Sequence, residues 1–448
     1  MSTPELSSTK SDALRRRRGV LAASVGTIVE YYDFTLYAYL AIVVSPLFFP
    51  GDDPTASLLA SLAVFASAYL MRPIGGLFFG WLGDRGGRRR ALLVSVLLMG
   101  IGSILMAFLP TYESVGVAAP ILLVLARLAQ GFSAGGEVGG ALTYVYETVG
   151  PQKKGLGGSW VAFGTYSGFA LAAVAVGAVS ALTTPDQMDT WGWRLPFLLA
   201  VPLLLFCLWI RTRIEESSQF EELAEKNNVA KAPVRELLRD HCRPLFQVFG
   251  VGIALNAAGY MALTYIGIHL VREGGYDRTS VAWTTAFVVS LIAIALPAAG
   301  ALVDKWGSTR VGVIGMIYST VLAYPAMLFM EGNGLLVAGI AFFVLAMGVP
   351  LVQASAAPLF PALLASRVRL SGVALGFNLA TILAGGTAAY VATWLIDVTG
   401  DSLSPAYFLI GASIIGLATM ATLRGAGYEG VQTHSKSLQS SEHKVESF

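Results

Sequence analysis

The sequence predicts an all-α membrane protein of twelve transmembrane helices in two homologous six-helix bundles, and three observations carry that prediction. First, the 448 residues are 55% hydrophobic and 13% charged, with a mean hydropathy of +0.65. A soluble domain carries about 25% charged residues. Second, the apolar segments have the length of a bilayer-crossing helix, about 20 residues. They do not alternate polar and apolar positions as barrel strands do, and backbone amides in lipid need partners within the segment. Third, a string of residues in the first half recurs in the second. Gly80-Trp81-Leu82-Gly83-Asp84-Arg85-Gly86-Gly87 matches Gly300-Ala301-Leu302-Val303-Asp304-Lys305-Trp306-Gly307, each position offset by 220. Two repeated halves with a site between them suit an alternating-access carrier.

In chain order, a basic N-tail (1–18) ends in Arg15-Arg16-Arg17-Arg18. The apolar run that follows is longer than a signal-peptide core and contains Glu30 and Asp33, so it reads as the first span and not as a cleaved leader. Spans are expected at 20–49, 57–82, 91–109, 117–146, 157–182 and 194–210, making an N-terminal bundle over 19–210. A charged linker, 211–243, then separates six further spans at 244–271, 281–302, 311–330, 334–364, 371–396 and 405–423, the C-terminal bundle over 244–423. The Ser-rich polar tail, 424–448, is expected to be disordered. Of the 30 lysines and arginines, 25 fall in segments on the side of the N-terminus, three on the other side and two within spans. By the positive-inside rule both termini and the linker are cytoplasmic, in the inner or plasma membrane.

Cys207 and Cys242 fit no disulfide framework or metal motif. No catalytic cluster, cofactor-binding pattern or metal set stands out, and no appended domain suggests an enzyme, a sensor or a nucleic-acid binder. A channel does not need the repeat. The expected partners are the lipid bilayer, a small polar metabolite and protons.

Three groups of residues are candidates for the chemistry. Helix 1 places Gly26, Glu30, Asp33 and Tyr37 on one face. Both carboxylates lie near the bilayer middle, where an ionised acid must pair, face a cavity or bind a proton. Helix 4 puts Arg127, Gln130 and Ala134 on one face and Glu137 a turn further on, with small residues at 131, 135 and 139 for close packing. Arg72 precedes Pro73 and Gly75-Gly76 in helix 2. This gives three intramembrane acids (Glu30, Asp33, Glu137) against two bases (Arg72, Arg127), so one acid is left to load and release a proton. Structural pairing is the alternative for each. The second half, with no buried charge expected, offers Asn256 and Tyr260 on helix 7, Gln353 on helix 10 and Asn378 on helix 11, which suit orientation of a polar ligand or packing between helices. In the repeated loop, Gly80, Arg85, Gly87, Arg88 and Arg89 surround Asp84. A carboxylate there can pair with the arginines or with a helix N-terminus of the other half, a contact that one carrier state makes and the other breaks; Asp304 is its counterpart.

The Gly-x-x-x-Asp-Arg-x-Gly-Arg-Arg string at 80–89 resembles the loop signature of the major facilitator superfamily. Glu30-Tyr31-Tyr32-Asp33-Phe34, Arg72-Pro73-Ile74-Gly75-Gly76, Gln130 through Glu137 and Trp191 through Phe197 resemble its metabolite:proton symporter family, which includes proline/betaine, alpha-ketoglutarate, shikimate and citrate transporters. The similarity runs over about residues 15–423. It implies a major facilitator fold, coupling roles for Glu30 and Asp33, and ligand or coupling roles for Arg72, Arg127 and Glu137. Asn256, Tyr260-Met261 and Phe377-Asn378 look most like the proline/betaine branch. The tail lacks the heptads of that branch's osmosensors, and Gly307-Ser308-Thr309 departs from an arginine-richer family pattern. The expected function is proton-coupled uptake of a small organic anion or zwitterion such as proline, betaine or a carboxylate; the alternative is a proton-driven exporter on the same scaffold.

Overall fold

In the computed structural model, which describes residues 5–52, 54–226, 230 and 232–423, the chain is helical throughout, with no strand among those residues. Twelve long helices are α1 (Glu5–Phe48), α2 (Pro54–Gly86), α3 (Arg88–Ala107), α4 (Ala118–Thr148), α5 (Lys154–Leu182), α6 (Leu195–Thr212), α7 (Cys242–Arg272), α8 (Arg278–Trp306), α9 (Ser308–Met330), α10 (Leu335–Ala362), α11 (Arg369–Thr399) and α12 (Pro405–Leu423). Eleven are long and apolar enough to cross a membrane. The first, with Glu30 and Asp33 in mid-helix, completes the set. The expected tail at 424–448 lies outside the described residues.

Each half packs through its own core. In the first, α4 lies against α2 and α3, and α1 against α5. Gly131 and Gly135 make the α2–α4 approach possible, because a Cβ at either would strike the backbone carbonyl of Ala68 or Arg72. Gly139, on the same stripe, faces Ala374 of α11 instead. The halves meet along two seams, α2 with α11 and α5 with α8, which the repeat makes equivalent. Helices α7 and α11 each carry one π-helical turn, at Met261–Tyr265 and Ile382–Gly386. Such turns interrupt regular helices mostly at functional sites.

Several boundaries differ from the sequence expectation: α1 already starts at Glu5, within the expected basic N-tail, and at three places near the candidate residues charged residues extend helices past the apolar run. The expected loop at 83–90 is almost wholly helical: α2 continues through Gly86, α3 starts at Arg88, and Gly87 alone turns the chain, at φ +104°. Gly307 repeats that turn at φ +88° between α8 and α9. These angles suit glycine, which has no Cβ to clash. Arg211, expected in the linker, lies inside α6 and is fully buried. Arg369, expected just before the eleventh span, is the first residue of α11 and is also buried, so the second half does contain a buried base.

Candidate functional site

Arg211 overturns the charge tally read from the sequence. It ion-pairs with Glu137, whose Oε2 also accepts from Ser95 Oγ at 3.0 Å. Apart from the Asp84, Arg88 and Glu147 group at the loop end, the first half therefore matches three buried acids, Glu30, Asp33 and Glu137, with three buried bases, Arg72, Arg127 and Arg211, and within that set no acid is left over by counting. Gly26 of α1 belongs to this pair: a side chain there would occupy the space of the Arg211 guanidinium.

The other acids are held differently. Gln130 bridges Asp33 and Arg127, donating from Nε2 to Asp33 Oδ2 at 2.7 Å and accepting from Arg127 Nη1 at 2.9 Å. The Arg127 guanidinium lies 4.7 Å from the ring centroids of both Phe34 and Tyr37. Tyr37 in turn bonds Ser61 across to α2, at 2.9 Å between hydroxyls. Glu30 is held loosely: Oε1 stands 3.5 Å from Arg72 Nη2, and neither side chain makes a well-formed hydrogen bond with another described residue. Arg72 is instead embraced by aromatic rings, 4.4 Å from Phe34, 5.1 Å from Tyr69 and 5.8 Å from Tyr31. Phe34 thus lies between two guanidiniums, in the geometry of cation–π attraction.

Tyr31 is shared between this charged cluster and a cavity of about 40 Å³ between the two halves. Tyr31, Tyr166 and Phe169 line it from the first half, and Asn256, Tyr260, Gln353, Phe360 and Phe377 from the second. It has room for a few water molecules, so the halves are closed around it. At its wall the hydroxyls of Tyr69 and Tyr260 approach to 3.4 Å between α2 and α7, and Gln353 Nε2 reaches Tyr166 Oη at 3.4 Å. Asn256 accepts from Thr381 Oγ1 at 3.1 Å and so ties α7 to α11. Of the ligand candidates, Asn256 and Tyr260 line the cavity and Arg72 stands behind its Tyr31 wall. Tyr37, Arg127 and Gln130 form a separate cluster inside the first bundle. Asn378 does not line the cavity; it closes the seam below, donating to the Gly135 carbonyl at 2.6 Å.

Sequence reading missed Tyr31, Tyr166, Phe360 and Phe377 as lining residues. An aromatic residue in a membrane helix looks the same whether it faces lipid, core or cavity. The i, i+4 step from Asn256 to Tyr260 was the legible signal.

At the end of the bundle that carries the basic loops, two of the gate candidates, Asp84 and Arg88, join one network across the seam. Asp84 accepts from the backbone amides of Leu370 and Ser371 at 3.1 and 2.8 Å, the second and third residues of α11. Arg88 Nη1 donates to Asp84 at 2.7 Å, and the same guanidinium reaches Glu147 of α4 and the Ser366 carbonyl of the other half. Arg369 Nη1 donates to Glu147 Oε1 at 2.9 Å. Glu147 and Arg369 thus belong to the same network, and both fell one or two residues outside the expected spans. Arg85 rests over Trp81, its guanidinium 5.7 Å from the ring. Arg89 donates from Nη2 to the Thr212 carbonyl at 2.7 Å. Gly80 packs against Ser371, with no room for a Cβ. At the second seam Asp304 accepts from Gly155 and Leu156 amides at 2.6 and 2.9 Å, the second and third residues of α5. Just beyond the spans, burial holds the Glu216 carboxyl above its usual range, while the amides of Ser217, Arg89 and Arg88 pull it down.

Residues 23–390 match the model of the Major Facilitator Superfamily. The proline/betaine transporter of Salmonella typhimurium is 34% identical over 91% of this chain and 83% of its own length. The glycine betaine/proline/ectoine/pipecolic acid transporter OusA of Dickeya dadantii is 36% identical over 90% and 82%. A putative proline/betaine transporter of Staphylococcus aureus is 34% identical over 97% and 92%. Among solved structures, the proton:xylose symporter XylE bound to 6-bromo-6-deoxy-D-glucose superposes with a TM-score of 0.74 at 16% identity, covering 93% of this chain and 96% of that one, which establishes the fold. The fold and the relatives are those of multi-pass membrane transporters of small polar solutes, not of enzymes. On this evidence the chain belongs to the Major Facilitator Superfamily and shares a family with the proline/betaine transporters.

Proposed function

We propose that this transporter imports a zwitterion of the proline or glycine betaine type together with protons, by rocking its two halves about the central cavity. The observation that carries the reading is the loosely held Glu30–Arg72 pair behind the aromatic wall of that cavity. Tyrosine and phenylalanine rings offer faces to an ammonium group, and Arg72 offers a fork of donors for a carboxylate. Glu30 is the proton carrier that the geometry favours. Glu137 is already fully engaged by Arg211 and Ser95, and Asp33 is bridged through Gln130. A carboxylate that can lose its cation as the ligand arrives is neutralised by a proton, since an isolated buried charge is costly. Both termini and the linker face the cytoplasm in this reading, so the closed end of the bundle is the cytoplasmic one. Reporter fusions after Asp240 and after Gly275 then give opposite sidedness.

The deciding experiment is uptake of radiolabelled solute into proteoliposomes under an imposed inward proton gradient. Proline and glycine betaine are compared with 2-oxoglutarate, shikimate and citrate. Gradient-driven accumulation of a zwitterion is expected. Accumulation only of a carboxylic acid, or accumulation indifferent to the gradient, refutes the assignment.

A further inference from the structure

The linker does more than join the halves. Its first helix, Ser218–Glu225, is anchored on the first half. Glu216 caps the start of α3, accepting from the Arg88 amide at 2.9 Å and from the Arg89 amide at 3.1 Å, where Gly87 supplies no side-chain cap. Ser217 Oγ donates to Glu147 at 2.6 Å, and the Phe220 ring lies 5.5 Å from the Arg88 guanidinium. The second helix, Pro233–Asp240, packs on α7 and α11 of the other half and also touches α2 of the first. Its Leu237 is fully buried in a cluster with Leu245, Leu364 and Val368, and Glu236 pairs with Arg367 at 2.8 Å.

Gln219 crosses between the two. It stands on the helix held by the first half, yet its Oε1 accepts from Arg369 Nη1 at 2.5 Å and from Ser366 Oγ at 3.4 Å, both of the second half. Arg369 Nη1 is the nitrogen that also binds Glu147. Opening this end must carry the start of α11 away from Asp84, and the Gln219–Arg369 bond must break in the same movement.

We infer that Gln219 is a positioning residue of the gate: it holds Arg369 against Glu147 and biases the carrier toward the state in which this end is closed. Gln219 touches no ligand in this role and acts through Arg369. The inference rests on the Asp84–Arg369 network as a gate and is independent of which solute is carried or which acid carries the proton. A hydrogen bond to a charged group is among the stronger kinds, so its loss is read as a change of population. The odds of the open form rise about tenfold.

The test uses the full-length transporter in lipid nanodiscs with Cys242 replaced by serine. Spin labels are attached at Arg90→Cys and Ala365→Cys, exposed positions on opposite sides of the seam. Pulsed dipolar spectroscopy measures the distance between them. Gln219→Met keeps the bulk and removes the acceptor; Gln219→Ala removes both. The expected result is a longer-distance population that grows in both variants. Ser217→Ala, whose bond stays within the first half and linker, leaves the distribution closer to the parent. Should the alanine variant fail to fold, the methionine variant carries the test alone. An unchanged distribution in Gln219→Met overturns the proposal, and it does so equally if the melting temperature falls, because that combination describes a purely structural glutamine. No substrate is added, so failure here leaves the transport assignment standing.

Discussion

The two seams repeat one geometry with different strength. Asp84 and Asp304 stand 220 residues apart in sequence, and each accepts from the second and third amides of a helix in the opposite half. A carboxylate at a helix N-terminus meets unpaired amides and the positive end of the helix dipole. The difference lies around them. Asp84 is fully buried and continuous with Arg88, Glu147 and Arg369, whereas Asp304 is exposed and has Lys153 as its nearby cation. The same asymmetry runs through the membrane. The first half carries three buried acid–base associations inside its bundle, while the second half's buried base, Arg369, stands at the loop end and its cavity wall is amide, hydroxyl and aromatic. The carboxylate-to-helix contact is thus present at both seams, while buried charge is concentrated in the first half. The first half is where coupling and the stronger latch are expected, and the second half is expected to supply the other wall for the ligand.

The largest expected effect tests that division inside the first half. Glu30→Gln is expected to abolish uphill, gradient-driven accumulation while sparing counterflow exchange, because exchange returns the carrier loaded and releases no net proton. Glu137→Gln leaves Arg211 buried without its counter-charge, a loss of about 3 to 5 kcal/mol. It is therefore expected to lower expression and both activities together. Comparing accumulation, counterflow and membrane abundance for the two variants separates coupling from structure. If Glu30→Gln retains normal accumulation, the coupling assignment to Glu30 fails and Asp33→Asn becomes the decisive variant.

Next in size is Asp84→Asn. The variant keeps one acceptor oxygen for the α11 amides but loses the charge opposite Arg88, and it is expected to reach the membrane while uptake falls about 10- to 100-fold. Initial uptake rates normalised to protein detected in the membrane check this. A rate equal to the parent would reduce the network to a structural contact with no part in the transport cycle.

Much of this architecture was legible in the residues, and the exceptions share a physical cause. Span number, the two halves and the paired turn glycines follow from apolar run length and from the 220-residue repeat. The Glu30–Asp33–Tyr37 face and the Arg127–Gln130 step follow from helical spacing, and Arg127 and Gln130 do bond each other as that spacing implies, whereas the bond from Gln130 to Asp33 is a contact between helices that spacing does not give. Arg211, Glu147 and Arg369 were lost because hydropathy ends a span at the first charge, while a helix continues for as long as its charges find partners. Their partners come from other helices, Glu137 for Arg211 and both Arg88 and Arg369 for Glu147. A single sequence contains no signal for such tertiary pairs. The same holds for Gln219, which reads as one polar residue in a polar linker until α11 is placed beside it.

The smallest expected effect bears most directly on why the two seams differ. Asp304→Asn replaces a carboxylate that has two amide partners and solvent access. One acceptor oxygen remains, water can satisfy the amide that is released, and the dipole contribution at an exposed helix terminus is about 0.3 to 1 kcal/mol. Uptake is therefore expected to fall only about two- to fivefold, in the same proteoliposomes and under the same gradient as Asp84→Asn. The contrast has a further control in salt: the exposed contact is screened at high ionic strength and the buried network is not, so raising salt inside the vesicles narrows the gap between parent and Asp304→Asn and leaves the Asp84→Asn defect unchanged. If Asp304→Asn proves as damaging as Asp84→Asn, the arginine and glutamate shell around Asp84 is not what strengthens the first seam. The shared carboxylate-to-helix contact would then carry the gate at both ends of the repeat.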